Sequence, residues 1–302
     1  MPLVLAGTDT PGFEIKAGEF CVKICLLTVV TLTLVSCGGS ASTPMHNSGV
    51  NPGSTSTSTS NAAAVAAQGN MIPDLQSSGG WTGYALLPPG YGICPGCSPI
   101  GPETTWSSHQ GVSSPSLSGK SMRFDIGGKT TFSDALWNNH LIGDFSSRGM
   151  TDGDNSINSK SHNFVYDVYF FGDHIGTSQA LEFDINQFVD GKSYIWGHEC
   201  RIAGGNEWDI WDNPGQKWRP TGVACHPLNN QWNHLTIQGQ RTSDGHLLFQ
   251  SITLNGKTAT LNHYDSPTST SWSGITVNYQ QDGNEKQQPY SIWLDKFNFH
   301  YW

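Results

Sequence analysis

Charged residues are scarce in this chain. They make up 13% of its 302 residues, and the 24 acidic residues outnumber the 15 basic ones. A formal net charge of −9 opposes binding to the phosphate backbone of nucleic acid, so we exclude nucleic acid as a partner. No long amphipathic helix follows residue 71, which together with the low charge excludes a long-helix protein.

The signature motifs of several enzyme classes are also absent. The chain has no Gly-x-Ser-x-Gly, Walker loop or dinucleotide fingerprint, so acyl transfer, nucleotide hydrolysis and hydride transfer have no support. Its histidines show neither His-x-x-x-His nor His-Glu-x-x-His spacing. We therefore do not predict histidine metal ligands.

Residues 1–36 have the features of an export signal. Lys16 and Lys23 precede an apolar run over residues 24–35, which is too short to span a bilayer comfortably. The run ends at Cys37 between small residues and resembles a bacterial lipobox, which implies cleavage before Cys37 and a lipid on its thiol. An ordinary secreted protein with a chance cysteine is the alternative. Lipidation predicts a bacterial envelope protein, anchored in the outer membrane or at the cell surface.

The segment over residues 37–70 is rich in Ser, Thr, Gly and Asn and predicts a flexible tether. Residues 71–302 remain for one folded domain. Four of the seven cysteines lie in that domain, and we expect Cys94 to pair with Cys97 and Cys200 with Cys225. A zinc site made by the same four is the competing interpretation.

Many short runs in the folded part are rich in β-branched and aromatic residues and are separated by Gly, Asn, Asp or Pro. Such runs without intervening helices predict an all-β fold of two stacked antiparallel sheets, a sandwich or jelly roll. The predicted strands cover Ser121–Ile126, Asn163–Phe171, Ala180–Phe188, Ser193–Cys200, Trp232–Gln240, Leu247–Leu254, Ile275–Gln280 and Tyr290–Tyr301.

One predicted strand alternates acidic and apolar residues. Glu182 and Asp184 fall on one face, and Leu181, Phe183 and Ile185 fall on the other, because successive side chains of a strand point to opposite sides. The apolar face predicts core. The acidic face is a candidate site, although a solvated sheet surface would show the same pattern.

This strand resembles the catalytic strand of the laminarinase-like β-glucanases, glycoside hydrolase family sixteen, with its pattern Glu-x-Asp-x-Glu, or Glu-x-Asp-x-x-Glu where a bulge intervenes. The resemblance implies that Glu182 is the nucleophile and Asp184 its assistant. The acid/base would fall on Asn186 in the first pattern and on Gln187 in the second. Both are amides, so the catalytic set is incomplete. Glu199 or His198 on a neighbouring strand could replace the missing acid.

Hairpin signals support the same resemblance. Asp244-Gly245 and Asn255-Gly256 separate strand-like runs and are similar to the turns of concanavalin-like and laminin-G-like sandwiches. The run over residues 292–299 resembles the closing strand of the β-glucanases. The resemblance covers about residues 120–302 and implies a concanavalin-like jelly roll.

Tryptophans are concentrated just after the acidic strand. Rings combined with polar side chains are typical of surfaces that bind sugars, although each ring taken singly is as well explained as core. The predicted carbohydrate-binding residues are Asn186, Trp196, His198, Trp208, Trp211 and Arg219, with Trp218 in the same cluster.

The resemblance also implies a structural calcium ion, although no cofactor is required. We expect calcium at Asp295 rather than in the loop Asp152-Gly153-Asp154, which lacks the bidentate Glu of an EF-hand. Both sites could also be simple turns.

Three functions remain open. The first is a surface lipoprotein that binds polysaccharide, and it is favoured because the catalytic set is incomplete. The second is an active glycoside hydrolase or polysaccharide lyase with a displaced acid. The third is a structural or adhesive envelope protein, which a flat apolar patch built around Trp208 and Trp211 would favour.

Overall fold

The computed structural model describes residues 69–86, 104–143 and 155–302. Most of these residues form antiparallel strands. In chain order the strands are β1 (Asn70–Ile72), β2 (Trp81–Leu86), β3 (Thr104–Val112), β4 (Ser121–Gly128), β5 (Asp134–Gly143), β6 (Asn163–Gly172), β7 (Ser178–Val189), β8 (Lys192–Arg201), β9 (Glu207–Asp212), β10 (Lys217–Ala224), β11 (Trp232–Arg241), β12 (Leu247–Leu254), β13 (Lys257–Asp265), β14 (Thr268–Ser269), β15 (Gly274–Gly283) and β16 (Tyr290–Tyr301).

The strands form two stacked sheets. Sheet A has the order β13-β12-β11-β6-β16-β4-β3, with β1 added beside β16. Sheet B has the order β10-β9-β8-β7-β15-β5-β2, with β14 added beside β8. The prediction of an all-β sandwich of antiparallel sheets is therefore confirmed. Each of the eight predicted strands corresponds to an observed strand within a few residues.

Helices contribute little to the described part. It contains one short α-helix, α1 (Asn155–Lys160), and two single 3-10 turns, Leu75–Ser77 and Ile175–Thr177. No helix in the described ranges has the length and apolar character needed to cross a membrane.

The core lies between the two sheets and follows from alternation along the strands. On β7, Leu181, Phe183 and Ile185 are fully buried against the other sheet, as their spacing predicts. Their burial fixes the pairing of β7 with its neighbours, because a shift of one residue would turn every apolar side chain outward. The acidic residues of β7 are thereby held on the outer face of sheet B.

Tight turns join β11, β12 and β13 as the sequence predicts. Asn255 and Gly256, between β12 and β13, both have positive φ, at 50° and 77°. Such values are typical of the two-residue turns that match the twist of paired strands.

The disulfide between Cys200 and Cys225 is confirmed. It joins the end of β8 to the residue after β10, and both cysteines are buried. The bond therefore closes a loop that contains the whole β9–β10 hairpin. The predicted pair Cys94 and Cys97, like the lipidation site Cys37 and the Asp152 loop, lies outside the described residues.

Candidate functional site

The outer face of sheet B carries carboxyl groups from four adjacent strands. Five residues form what we call the acid row: Asp134 of β5, Glu182 and Asp184 of β7, Glu199 of β8 and Asp282 of β15. Each keeps less than a tenth of its surface exposed. The sequence places only Glu182 and Asp184 together, and strand pairing adds the others.

Strand register explains why the five groups meet. Glu182 lies directly opposite Glu199 on one side, and opposite Gln280 on the other. Asp282 lies two residues beyond Gln280 and opposite Asp134 on β5. Since side chains directly opposite each other in a sheet are about 5 Å apart at Cβ, the carboxyl groups are forced into contact.

Hydrogen bonds connect the row internally. Gln280 Nε2 donates to Glu182 Oε1 at 2.6 Å and to Asp282 Oδ1 at 2.9 Å. The carboxyl groups of Glu182 and Asp134 are each hydrogen-bonded to that of Asp282. Two carboxyl groups share a hydrogen bond only if one of them is protonated, so the row holds protons that isolated carboxyls would release.

Burial is the main cause of this proton retention. It raises the pKa of Glu182 well above its ordinary value, and the neighbouring Asp282 and Asp184 raise it further. Burial also raises the pKa of Glu199 to about 9, with a second contribution from Asp282. For Asp184, burial outweighs the hydrogen bonds from Asn278 and from the His198 backbone, and its pKa is about 7.

Arg201, a basic residue beside the row, forms its ion pairs with acids outside the row. Arg201, at the end of β8, forms ion pairs with Asp209 at 2.8 Å and with Glu207 at 3.0 Å. Arg201 lowers the pKa of Glu199, but burial and the neighbouring acids outweigh this effect and keep the pKa at about 9. A bound proton, rather than Arg201, therefore keeps Glu199 uncharged at neutral pH.

Two tryptophans lie next to the row on the same face. Trp211 of β9 and Trp218 of β10 are cross-strand neighbours, are partly exposed, and pack edge to face with ring centroids 5.2 Å apart. They lie over Gly197 of β8, where a Cβ would be 2.9 Å from Trp211 Cβ and 3.4 Å from Asp184 Oδ1. The missing side chain of Gly197 lets the tryptophan pair approach Asp184.

Asn186 lies two residues after Asp184 on β7. β7 pairs with β8 without a bulge, so Asn186 shares the outer face with Glu182 and Asp184. Gln187 faces the other way, where its Nε2 donates to the Asn158 carbonyl at 2.6 Å and its Oε1 accepts from Arg241 at 2.9 Å. The prediction of a catalytic role for Gln187 is therefore wrong, because the residue anchors α1.

Three predicted carbohydrate-binding residues belong to the core instead. Trp196, Trp208 and His198 point between the sheets and are 0–1% exposed. Burial lowers the pKa of His198 to about 4, which keeps its ring neutral. The predictions that these three contact a ligand are wrong, and so is a replacement acid at His198. The burial of Trp208 also excludes this residue from the flat apolar patch that an adhesive protein would present.

Arg219 lies on the edge strand β10 but not beside the tryptophan pair. It is opposite Ile210, a core residue, and its guanidinium pairs with Asp212 at 2.7 Å. Successive residues of a strand face opposite sides, so Arg219 points away from the face that carries Trp218. The prediction that Arg219 contacts a sugar beside Trp218 is therefore wrong.

Asp295 accepts hydrogen bonds on both carboxylate oxygens. Ser116 Oγ and the backbone N–H groups of Leu117 and Ser118 donate to Oδ2, while Ser118 Oγ and the Lys296 N–H donate to Oδ1. Burial opposes ionisation, but these bonds outweigh it, and the pKa of Asp295 lies below its ordinary value.

A calcium ion at Asp295 would have to displace some of these donors, and the calcium site stays a prediction. Within the described ranges, no group of three or more His, Cys, Asp or Glu residues is arranged to hold a metal ion.

A cavity of about 510 Å³ opens elsewhere, between β3, β4 and the start of β16. Asp125 and Asp173 both line it, and Asp125 accepts hydrogen bonds from Ser107, Ser291 and Arg123. This carboxylate is satisfied by the protein itself. The acid row and the tryptophan pair are therefore the stronger candidate site.

The described part of the chain is a two-sheet β-sandwich. The outer face of its sheet B carries a buried row of carboxyl groups beside a tryptophan pair. No protein family matches the chain, and no curated protein matches it in sequence.

Solved structures with a similar chain path include a cellulose-induced protein, with 10% identity, a TM-score of 0.41 and coverage of 73% of this chain and 90% of that one. A carbohydrate recognition domain in a potassium-bound form has 8% identity, a TM-score of 0.37 and coverage of 66% and 88%.

A third similar structure comes from the carbohydrate-binding modules of the β-sandwich superfamily, with 8% identity and a TM-score of 0.36. The match covers 74% of this chain and 58% of that one. These likenesses assign no ligand or activity to the present chain.

Proposed function

We propose that this protein binds carbohydrate on the outer face of sheet B, between the tryptophan pair and the acid row. The observation that carries the proposal is the partly exposed pair of Trp211 and Trp218, held over Gly197 next to Asp184. Sugars present apolar C–H faces and hydroxyl edges. The rings suit the first, and the carboxyl and amide groups of the row suit the second.

Binding assays with single substitutions test the proposal. We expect the full-length chain to be retarded by at least one polysaccharide in affinity gels, and Trp211→Ala or Trp218→Ala to weaken its affinity roughly ten- to a hundredfold through loss of stacking area. Trp232→Ala, on the outer side of sheet A, is the matched control and should bind as the parent does. Thermal unfolding of each variant verifies the fold.

The proposal fails if the folded parent is retained by no neutral, acidic or amino polysaccharide. It also fails if the Trp232 variant loses as much affinity as the other two, since the tryptophan pair would then have no special part.

A glycoside hydrolase is the second candidate, and one observation favours it. Glu199 lies directly opposite Glu182, and its pKa of about 9 leaves it protonated at neutral pH, as a general acid must be. Glu199 would then replace the acid lost at Asn186. The chain would be incubated with the same polysaccharides and assayed for new reducing ends and unsaturated products. Products that Glu182→Gln and Glu199→Gln abolish would establish an enzyme. Binding without products would establish a carbohydrate-binding protein.

We also propose that the protein is a lipoprotein of the bacterial envelope, anchored through Cys37 and held away from the membrane by residues 37–70. The lipobox-like pattern before Cys37 supports this. In bacteria that express the chain, we expect the mature protein to enter the detergent phase on phase separation, and Cys37→Ser to remain in the aqueous phase. Equal partitioning of the two would contradict the anchor.

A further inference from the structure

We propose that the cavity between β3, β4 and the start of β16 is a second binding site, which takes a small neutral saccharide or the neutral end of a glycan chain. The site is separate from the one proposed above, since β3 ends sheet A next to β2, whereas the tryptophan pair lies at the β10 end of sheet B. The inference therefore goes beyond the proposed function and does not rest on it.

The cavity has the size and the lining of a small-molecule site. Its volume of about 510 Å³ lies within the range of roughly 300–1,000 Å³ that is typical of ligand pockets. Its walls combine an aromatic ring, hydroxyl groups and two carboxyl groups, which come from Trp106, Thr105, Ser107, Ser291, Asp125 and Asp173. A sugar ring has both apolar C–H faces and hydroxyl edges, so it matches this mixture of surfaces.

Trp106 supplies the apolar surface of the cavity. Its ring packs edge to face against Trp137, with ring centroids 6.3 Å apart, and Trp137 belongs to the core. The core therefore holds the indole in place. Trp106 nevertheless keeps 39% of its surface exposed, more than any other tryptophan in the described ranges. A ring that is fixed by packing and still accessible can stack on the C–H face of a sugar at small entropic cost.

One serine holds both carboxylates of the cavity. Ser291 Oγ donates to Asp125 Oδ1 at 2.6 Å, and the Ser291 N–H donates to Asp173 Oδ1 at 2.9 Å. Asp125 also accepts from Ser107 and Arg123. Asp173 differs, because no described residue donates to its Oδ2, although its side chain is 32% exposed. This oxygen is accessible and fixed in direction, so it can accept a charge-assisted hydrogen bond from a ligand hydroxyl.

Charged and apolar ligands fit this cavity less well. Arg123 Nε lies 3.1 Å from Asp125 and would repel a cation near that carboxylate, while the two carboxylates would repel a phosphate, sulfate or uronate group. A wholly apolar ligand would take the carboxylates out of water without replacing its hydrogen bonds. Within the described ranges, no group of three or more His, Cys, Asp or Glu residues could hold a metal ion. A neutral ligand with hydroxyl donors meets none of these objections.

Titration of the full-length chain with methyl glycosides of glucose, galactose, mannose and N-acetylglucosamine tests the site. By saturation-transfer difference NMR, we expect at least one of the four to bind with a dissociation constant in the millimolar range. Trp106→Ala should weaken its affinity at least about tenfold through loss of stacking surface. Because the ligand is neutral, its affinity should change by less than about twofold between low and high salt.

Asp173→Asn is the more specific variant, because it replaces a single oxygen. The amide oxygen can still accept from the Ser291 N–H, and only the free acceptor becomes a donor. We expect roughly tenfold weaker binding of the glycoside, with the melting temperature of the parent. Asp167→Asn is the matched control, at a carboxylate of sheet A that is hydrogen-bonded to His234, and should bind the glycoside as the parent does.

The second site is overturned if none of the four glycosides binds, or if Trp106→Ala and Asp173→Asn both bind as the parent does. It is also overturned if added salt lowers the affinity more than about tenfold, since the ligand contact would then be ionic. None of these results affects retention of polysaccharide by the tryptophan pair. Trp211→Ala should keep its affinity for the glycoside, so failure of the proposed function is seen separately. If Trp106→Ala does not fold, Asp173→Asn alone decides.

Discussion

The folded domain should be markedly more stable near pH 5 than near pH 9. Burial raises the pKa of Asp282 to about 6, of Asp184 to about 7 and of Glu199 to about 9, while unfolded carboxyls titrate near 4. A group with a raised folded pKa contributes stability that is complete below its unfolded pKa and is lost as the pH rises through the folded value.

The pH window of this loss runs from about 4 to 9, and we expect a fall of roughly 3–5 kcal/mol across it. For a domain of this size the fall lowers the melting temperature by roughly 10 °C. Asp295 acts in the opposite direction, since its pKa is depressed, and it should limit stability only below its unfolded pKa. Thermal melts followed by circular dichroism from pH 3 to 9 measure the loss of stability at both the acidic and the alkaline end.

Amide variants show whether the acid row is the cause. Asp184→Asn removes a group that titrates within the window, so its profile should be flatter than that of the parent. Asp244→Asn, at a highly exposed carboxyl whose pKa is lowered chiefly by the hydrogen bond from Thr242, should leave the profile unchanged between pH 5 and 9. A melting temperature that stays constant or rises between pH 5 and 9 would show that the row does not retain its protons.

Removal of the disulfide should destabilise the domain and weaken glycan binding together. Cys200 and Cys225 are 25 residues apart in sequence, and a cross-link that closes such a loop contributes about 3 kcal/mol. We expect Cys200→Ala/Cys225→Ala to melt roughly 10 °C below the parent. Because the loop carries Trp211 and Trp218, affinity for the glycan should also fall.

Reductant provides the control for this prediction. It should lower the melting temperature of the parent by at least as much as the double substitution does, and any further fall in the reduced double variant measures the expected Cys94–Cys97 bond. A double variant that melts and binds as the parent does would show that β9 and β10 are held by strand pairing alone.

Much of the fold could be predicted from local patterns, because strands and tight turns depend on neighbouring residues. The alternation around Phe183 and the Asn255-Gly256 turn are examples, and the structure confirms both. The prediction covered eight of the sixteen described strands. Among those it missed, β9 alternates only in part and β10 has little apolar surface to bury.

The acid row could be predicted only in part, because its members come from distant parts of the chain. Asp134, Glu182 and Asp282 meet through the strand order β7-β15-β5, which no local motif specifies. One error was avoidable. Trp208 and Trp211 are three residues apart, so on one strand they must face opposite sides, and only one of them could contact a ligand.

The position of the β9–β10 hairpin at the margin of sheet B has a practical consequence for engineering. The hairpin is tied at its base by the Cys200–Cys225 bond, and β10 has no partner beyond β9 in the described strand order. The hairpin could therefore be replaced by hairpins with other tryptophan positions in order to change ligand specificity. The central strands that bear the carboxyl groups would remain the same in each variant.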